Sequence, residues 1–165
     1  MIRIEGKQSL AACALVGFSF LAPAAVTAAD VSYLFSTLAG VAGTLVSSAD
    51  GTGSAAQFSA PRGVAVDTSG NVYVADSTNH SIRKITAAGV VTTLAGTAGS
   101  SGNTNGTGTA AKFNEPFAVA VDSVGNVFVA DTNNNAIRKI TPAGVVTTLA
   151  GGSGSGTTDG TGTAA

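Results

Sequence analysis

The chain has 165 residues, of which 44% are hydrophobic and only 10% are charged, and its formal net charge is −1 at pH 7. This length allows a single domain. The weak net charge gives no electrostatic reason to expect nucleic acid or an acidic lipid surface as a partner.

Residues 1–29 are predicted to be a secretory signal peptide. Arg3 and Lys7 provide a basic start, no residue from Leu10 to Ala29 is charged, and the small residues Ala28–Ala29 suit cleavage. This order of basic, apolar and small residues is typical of secretory signals. We therefore expect a secreted or periplasmic protein, with no membrane association once the signal is removed. Cleavage would also remove Cys13, the single cysteine, so no disulfide is expected.

Two alternatives for this segment are less favoured. The uncharged run is just long enough for an uncleaved membrane anchor, which needs about 20 residues, but Pro23 interrupts it. The letters "LAAC" at Leu10–Cys13 resemble a lipoprotein cleavage box, yet the apolar stretch follows Cys13 instead of preceding it.

An internal repeat dominates residues 30–165. Residues 56–95 align with residues 111–150 without a gap, and 27 of the 40 positions are identical. The letters "TLAG" begin at positions 37, 93 and 148, and "DGTG" or "NGTG" begins at positions 50, 105 and 159. Such a fixed period indicates a repeat architecture, with a third repeat that stops at residue 165.

Each copy is predicted to form four short strands in an antiparallel meander. β-branched residues are enriched in four segments, which Gly-, Asn- and Ser-containing turns separate. In the first copy the predicted strands are Gly63–Asp67, Asn71–Asp76, Ser81–Thr86 and Val90–Ala95.

The strand pattern favours stacked sheets. The segments "VAV" and "VYVA" are apolar at consecutive positions, so both faces of each sheet are expected to be buried. Four-stranded sheets that stack around an axis form a β-propeller. The connector Gly96–Pro116 is expected to be a surface loop with Phe113 anchored between two blades. The segment Tyr33–Ala39 is expected to be an orphan outer strand.

On these residues the sequence resembles the NHL-repeat proteins. The shared pattern runs from "DGTG" through "FxxPxGVAVDxxGNVYVADxxNxxIRKI" to "GVVTTLAG", and it covers roughly residues 33–165. The resemblance implies an all-β propeller, with two complete four-stranded blades here and an incomplete ring. It is much less specific for activity. The second copy departs from the pattern, with Phe117 in place of Arg62 and Ala118 in place of Gly63.

The resemblance also raises an expectation about assembly. Propellers similar to this one usually close with six blades, so the chain is expected to be a truncated frame or a fragment. The alternative is a ring built from several two-blade chains. Either case leaves apolar blade faces open, and we expect self-association through them.

One acid–base pair recurs in each copy: Asp76 with Arg83, and Asp131 with Arg138. A ring of such pairs around a channel would be a functional arrangement. A catalytic site, however, needs different residues that converge from different blades. The repetition therefore favours an intra-blade salt bridge with a structural role.

No cofactor or metal is predicted. His80 is the only histidine and its counterpart is Asn135, so it is expected to be solvated and does not suffice for a zinc site. The loops at Asp50 and Asp159 each offer one carboxylate, which is too few for a calcium cage.

The favoured function is a non-catalytic binding or interaction scaffold, with an unidentified protein or carbohydrate as the ligand. Turn positions that differ between the copies, together with the pair at the blade entry, are the predicted contacts, since variation on a fixed frame is typical of binding loops. The alternative is part of a propeller lyase, or of a lactone or ester hydrolase, with active-site residues in missing blades. The predicted contact residues are Arg62, Thr78, His80, Phe117, Asn133 and Asn135.

Overall fold

A computed structural model describes residues 36–41, 48–152, 154–157 and 159–164. The predicted signal peptide, residues 1–29, lies outside the described residues, as do the first three residues of the predicted orphan strand. Residues 36–39 complete that predicted segment and form no strand. Within the described ranges, no helix is long and apolar enough to cross a membrane.

Two five-stranded antiparallel sheets make up the described fold, and each corresponds to one repeat. Their strand orders are β1-β5-β4-β3-β2 and β6-β10-β9-β8-β7, so the two sheets have the same topology. We call them the first and the second blade. The strands are β1 Gly51–Thr52, β2 Pro61–Val66, β3 Val72–Asp76, β4 Ser81–Ile85, β5 Val90–Gly96, β6 Gly106–Thr107, β7 Pro116–Val121, β8 Val127–Asp131, β9 Ala136–Ile140 and β10 Val145–Gly151.

The fifth strand of each sheet was not predicted. In the first blade, β1 pairs with β5, and a 3₁₀ turn at Gly53–Ala55 follows it. The Asp50 carboxylate holds this segment in place, because it accepts hydrogen bonds from the backbone N–H of Thr93 at 3.2 Å and from its hydroxyl at 3.0 Å. The "DGTG" letters at position 50 and the "NGTG" letters at position 105 therefore mark an outer strand instead of a free loop.

The two blades pack face to face. The back face of the first blade carries Tyr73, Ala75 and Ile82, and these side chains form one buried cluster with Val127 and Val129 of the second blade. Successive strand residues point to opposite faces, so Val72 and Val74 belong to the front face of the first blade. The main core thus lies between the sheets.

The predicted position of Phe113 is confirmed. Its ring is fully buried in the cluster between the blades, and it packs over Arg138 at 5.3 Å from the guanidinium carbon to the ring centroid. Gly96 makes room for it, because a Cβ at Gly96 would lie 3.1 Å from the ring. The connector therefore fastens one blade to the next.

The expectation that both faces of "VAV" are buried is wrong for β2. Val64 is 65% exposed and Val66 is 61% exposed, whereas Val74 and Ala75 in β3 are buried as expected. β2 is the edge strand of its sheet, and its Gly63 side is the one that meets β7. No sheet packs on the Val64 side within the described part of the chain.

Candidate functional site

Arg83 lies at the centre of a buried polar network in the first blade. Its Nη1 donates to Asp76 Oδ2 at 3.0 Å, and both side chains are fully buried. Its Nη2 donates to Asp50 Oδ1 at 2.7 Å and to the Ala49 carbonyl at 2.9 Å. The guanidinium also packs over Phe58, at 5.1 Å from the ring centroid. One side chain thus joins the segment before β2, the start of the outer strand and the hairpin.

The second blade repeats this network with one change. Arg138 Nη1 donates to Asp131 Oδ2 at 2.8 Å, again with both side chains fully buried. Its Nη2 donates at 2.8 Å to Oδ1 of Asn105, the neutral counterpart of Asp50. The Asn134 amide also donates to Asp131, at 2.8 Å. Buried charges fixed by several hydrogen bonds are typical of a structural frame.

The predicted contact residues gather at one end of the blades, where β3 turns into β4 and β8 turns into β9. We call this end the hairpin face. Five of the side chains are exposed there, and His80 is half-buried. The hairpin face consists of Arg62, Thr78, His80, Phe117, Asn133 and Asn135.

His80 differs from its predicted solvated state. Its Nδ1 accepts a hydrogen bond from the Glu115 N–H at 3.1 Å, so the imidazole ties the first-blade hairpin to the second-blade connector. This bond requires the proton on Nε2. His80 and Asn135 both have left-handed backbone conformations, with φ of 52° and 49°. Asn adopts this conformation more readily than most residues, which explains its presence in the second copy.

Arg62 and Phe117 occupy equivalent positions in the two copies, and the structure brings them into contact. The guanidinium carbon lies 5.0 Å from the Phe117 ring centroid, a cation–π geometry. Both side chains are exposed, with Phe117 at 51%. Arg62 has no ion pair among the described residues, so its charge is open to a ligand. Of the three arginines that the structure describes, Arg62 alone is not bound into the repeat frame.

Sequence reasoning missed a polar cavity at the opposite end of the blades. It has a volume of about 220 Å³ and lies where the turns after β2 and β7 approach each other. Asp67 lines the first-blade side and Asp122 the second-blade side. The only sequence signal was the difference between Tyr73, which lines the cavity, and its counterpart Phe128.

Hydrogen bonds lower the pKa of both carboxyl groups in this cavity. The Asn71 side-chain amide is the main cause for Asp67, and the Asn126 side-chain amide is the main cause for Asp122. Burial raises the pKa of Tyr73, whose hydroxyl donates to Asp67 Oδ2 at 3.1 Å. Both aspartates are therefore ionised at neutral pH and fix the turns that they begin.

A metal site has no support in the described ranges, where no group of three or more His, Cys, Asp or Glu side chains converges. The Asp50 carboxylate, weighed above as a calcium ligand, is instead bound to Arg83 and Thr93.

The family model for the NHL repeat matches residues 58–85 and 113–140, which span the first three large strands of each blade. The chain is an NHL-repeat protein. Each NHL match begins at the phenylalanine that packs on the buried arginine, Phe58 or Phe113, and ends with the third of these strands.

Curated relatives share the NHL repeats over part of their length. The chain is 41% identical over 92 residues to the chloroplastic Protein SUPPRESSOR OF QUENCHING 1 of Arabidopsis thaliana, covering 55% of this chain and 9% of that one. It is 40% identical over 92 residues to human NHL repeat-containing protein 2, covering 54% of this chain and 13% of that one. The match thus spans about a tenth of either relative.

Solved structures support the propeller fold of this NHL-repeat protein. An auxiliary nutrient binding protein from Bacteroides thetaiotaomicron superimposes with a TM-score of 0.56 at 29% identity. The match covers 67% of this chain and 28% of that protein. The two blades therefore have the fold of a partial propeller and superimpose on about a quarter of that neighbour.

Proposed function

We propose that this NHL-repeat protein is an exported, non-catalytic scaffold that binds a protein or carbohydrate ligand through its hairpin face. This proposal is supported by a difference in burial and binding partners among the described arginines. Arg83 and Arg138 are fully buried and bound to carboxylates, whereas Arg62 is exposed and stacked on Phe117. The repeated arginines serve the frame, and the non-repeated Arg62 is free for recognition.

Arg62 and Phe117 have the composition of a binding anchor. Arginine and aromatic residues are enriched at the energetic centres of interfaces. The ring holds the guanidinium in place before a ligand arrives, which reduces the entropy lost on binding. A ligand with a carboxylate or another anionic group would fit this cation. Thr78, Asn133 and Asn135 add exposed polar groups on the same face.

Export has two supports. Residues 1–29 have the composition of a secretory signal. The nutrient-binding neighbour is a bacterial binding protein that shares the fold at 29% identity, which agrees with a role outside the cytoplasm. Radiolabelling the expressed full chain and sequencing the N-terminus of the exported product tests this proposal. A product that retains residues 1–29 would contradict it.

Ligand binding is testable with a combined array of acidic and neutral glycans and peptides. We expect the labelled protein to bind acidic probes, and Arg62→Ala to remove the signal. Lys139→Ala is the matched control, because it removes a cation that lies outside the hairpin face. An array on which both variants bind as the unaltered protein does would contradict the assignment of Arg62.

The back face of the second blade supports a further proposal, self-association. Ile137 is 41% exposed and Leu149 is 47% exposed, whereas their first-blade counterparts Ile82 and Leu94 pack against the second blade. Light scattering after size-exclusion chromatography should show oligomers that the double change Ile137→Lys and Leu149→Lys converts to monomers. A monomeric unaltered protein with a cooperative melt would refute this proposal.

A further inference from the structure

The second blade has an open pocket of about 250 Å³ on its back face, which we call the open socket. This volume is below the range of roughly 300–1,000 Å³ for pockets that take drug-sized ligands, so the open socket suits a single large side chain. Three alanines and one isoleucine make much of its lining apolar. The lining includes Ala130, Asn135, Ile137, Ala150 and Gly151.

The first blade has the equivalent site, and there Phe113 fills it. The Phe113 ring belongs to one fully buried cluster with first-blade residues. A Cβ at Gly96 would lie 3.1 Å from the ring, so the backbone at Gly96 is part of the same site. The first-blade residues of this site are Ala75, Ile82, Ala95 and Gly96, which lie one repeat before Ala130, Ile137, Ala150 and Gly151 of the open socket.

The two sites share one backbone register and differ in what fills them. Ile82 pairs with Ala95 in the first blade, and Ile137 pairs with Ala150 in the second. Ile82 is fully buried, whereas Ile137 is 41% exposed. The open socket is therefore a site already formed for an aromatic ring, and none of the described residues supplies that ring.

A short segment brings Phe113 to its site. It runs from Phe113 to Pro116 with the letters "FNEP", and its proline begins β7. His80 holds the segment, because its Nδ1 accepts the Glu115 N–H at 3.1 Å. Asn135 has the corresponding position beside the open socket, and its side chain makes no hydrogen bond within the described part of the chain. The amide oxygen of Asn135 can accept an N–H as the imidazole does.

After the predicted signal peptide, the chain contains one other segment with phenylalanine and proline at this spacing, Phe58–Pro61. The Phe58 ring already has partners within the chain. A Cβ at Gly40 would lie 3.2 Å from the ring, and the Arg83 guanidinium carbon lies 5.1 Å from the ring centroid. This arrangement favours a segment of another polypeptide as the occupant of the open socket.

We propose that the open socket binds a protein partner through a Phe-Xaa-Xaa-Pro segment. The phenylalanine would fill the pocket, and an N–H of the segment would donate to Asn135, as Glu115 donates to His80 in the first blade. Aromatic side chains that fill a pocket supply much of the affinity at many protein interfaces. The proposal does not rest on the acidic ligand of the hairpin face, nor on the self-association proposed for the back face, which light scattering measures without any peptide.

Amide NMR of the isotope-labelled full chain, titrated with a synthetic peptide of residues 109–116 ("TAAKFNEP"), tests the proposal. We expect shifts centred on Asn135, Ile137 and Gly151, with a Kd of roughly 0.1–1 mM. The Phe113→Ala peptide should bind about tenfold more weakly or worse, because it lacks the aromatic anchor. The first-blade site should not respond, since the chain's own Phe113 fills it.

Three variants of the protein make the assignment specific. Ala150→Leu fills the open socket and should weaken binding of the peptide about tenfold or more. Ala143→Leu is the matched control, because it adds the same atoms at an exposed turn that does not line the socket, and Kd should stay within about twofold. Asn135→His recreates the first-blade partner and should retain binding. The melting temperature of each variant shows that it is folded.

Three results would overturn the proposal. The first is the absence of any shift with the peptide up to about 5 mM, which excludes a site of useful affinity. The second is equal affinity for the unaltered and the Phe113→Ala peptide, which would mean that the phenylalanine is not the anchor. The third is a folded Ala150→Leu variant that binds as the unaltered protein does, which would place the peptide outside the open socket.

Discussion

Arg83 and Asp76 form an ion pair of 3.0 Å in which both side chains are fully buried. Arginine comes from β4 and aspartate from the end of β3, so the pair closes the hairpin between them. The same guanidinium also binds the segment that leads into β2, at the Gln57 carbonyl, at 2.9 Å. The pair therefore holds the hairpin and the segment before β2 together.

Removing one member of this pair should strongly destabilise the fold. Asp76→Ala leaves the Arg83 charge buried without its one fully buried carboxylate partner among the described residues, and breaking a buried pair in this way costs about 3–5 kcal/mol. Urea unfolding followed by circular dichroism measures the change in the free energy of unfolding. Asp159→Ala, which removes an exposed carboxylate, is the control and should stay within about 0.5 kcal/mol. Equal changes in the free energy of unfolding for the two variants would mean that the ion pair does not stabilise the fold.

The difference between Asp50 and Asn105 predicts a stabilising substitution. Asp50 gives Arg83 a second carboxylate at 2.7 Å, whereas Asn105 gives Arg138 an amide oxygen at 2.8 Å in the same place. Asn105→Asp should therefore stabilise the protein by about 0.2–1 kcal/mol, the range of an exposed pair. Added salt should reduce the gain by screening it. Asp50→Asn is the reciprocal control and should destabilise; a gain there would contradict the argument.

We expect any side chain at Gly63 to destabilise the fold, because the backbone of β7 lies directly against this residue of β2. A Cβ at Gly63 would lie 2.6 Å from the Cα of Ala118 and 2.8 Å from the Phe117 carbonyl oxygen. Gly63→Ala must push β2 away from β7, and we expect a loss of about 1–3 kcal/mol, as in overpacked cores. Thermal unfolding monitors the effect. Ala118→Ser adds one atom at the exposed equivalent position and should change stability by less than about 0.5 kcal/mol.

Acid should weaken the turns that begin at Asp67 and Asp122. Both carboxyl groups have pKa values below the ordinary value of 3.8, mainly because of the Asn71 and Asn126 side-chain amides. The unfolded chain therefore binds protons more tightly, and stability falls as the pH drops below 3.8 through the folded pKa. Urea midpoints between pH 7 and pH 2 should fall less steeply for the double variant Asp67→Asn and Asp122→Asn. Identical slopes would contradict this assignment.

Sequence alone predicted the parts of the fold that depend on local pattern. The four large strands of each blade follow from β-branched runs and turn residues, and the position of Phe113 follows from the connector that carries it. The departure at Ala118 also had a structural meaning. Gly63 faces a neighbouring strand and Ala118 is exposed, so only the first of the two positions excludes a side chain.

Features that depend on distant contacts were not predictable. β1 and β6 have two residues each, too few for any periodicity, and β1 is held by Asp50 through Thr93, 43 residues away. The exposure of Val64 depends on which faces of the sheet meet another sheet, which the alternation of residues does not reveal. The polar cavity lies between two turns that are one repeat apart, so only the fold brings Asp67 and Asp122 to the same space.

The repeated arginines build the frame, and we propose that the non-repeated Arg62 recognises the ligand. Array binding of Arg62→Ala, recorded together with its melting temperature, tests this claim most directly. We expect Arg62→Ala to lose binding to the acidic probes while its melting temperature stays the same as that of the unaltered protein. Retained binding to the same probes, or a large fall in melting temperature, would contradict it.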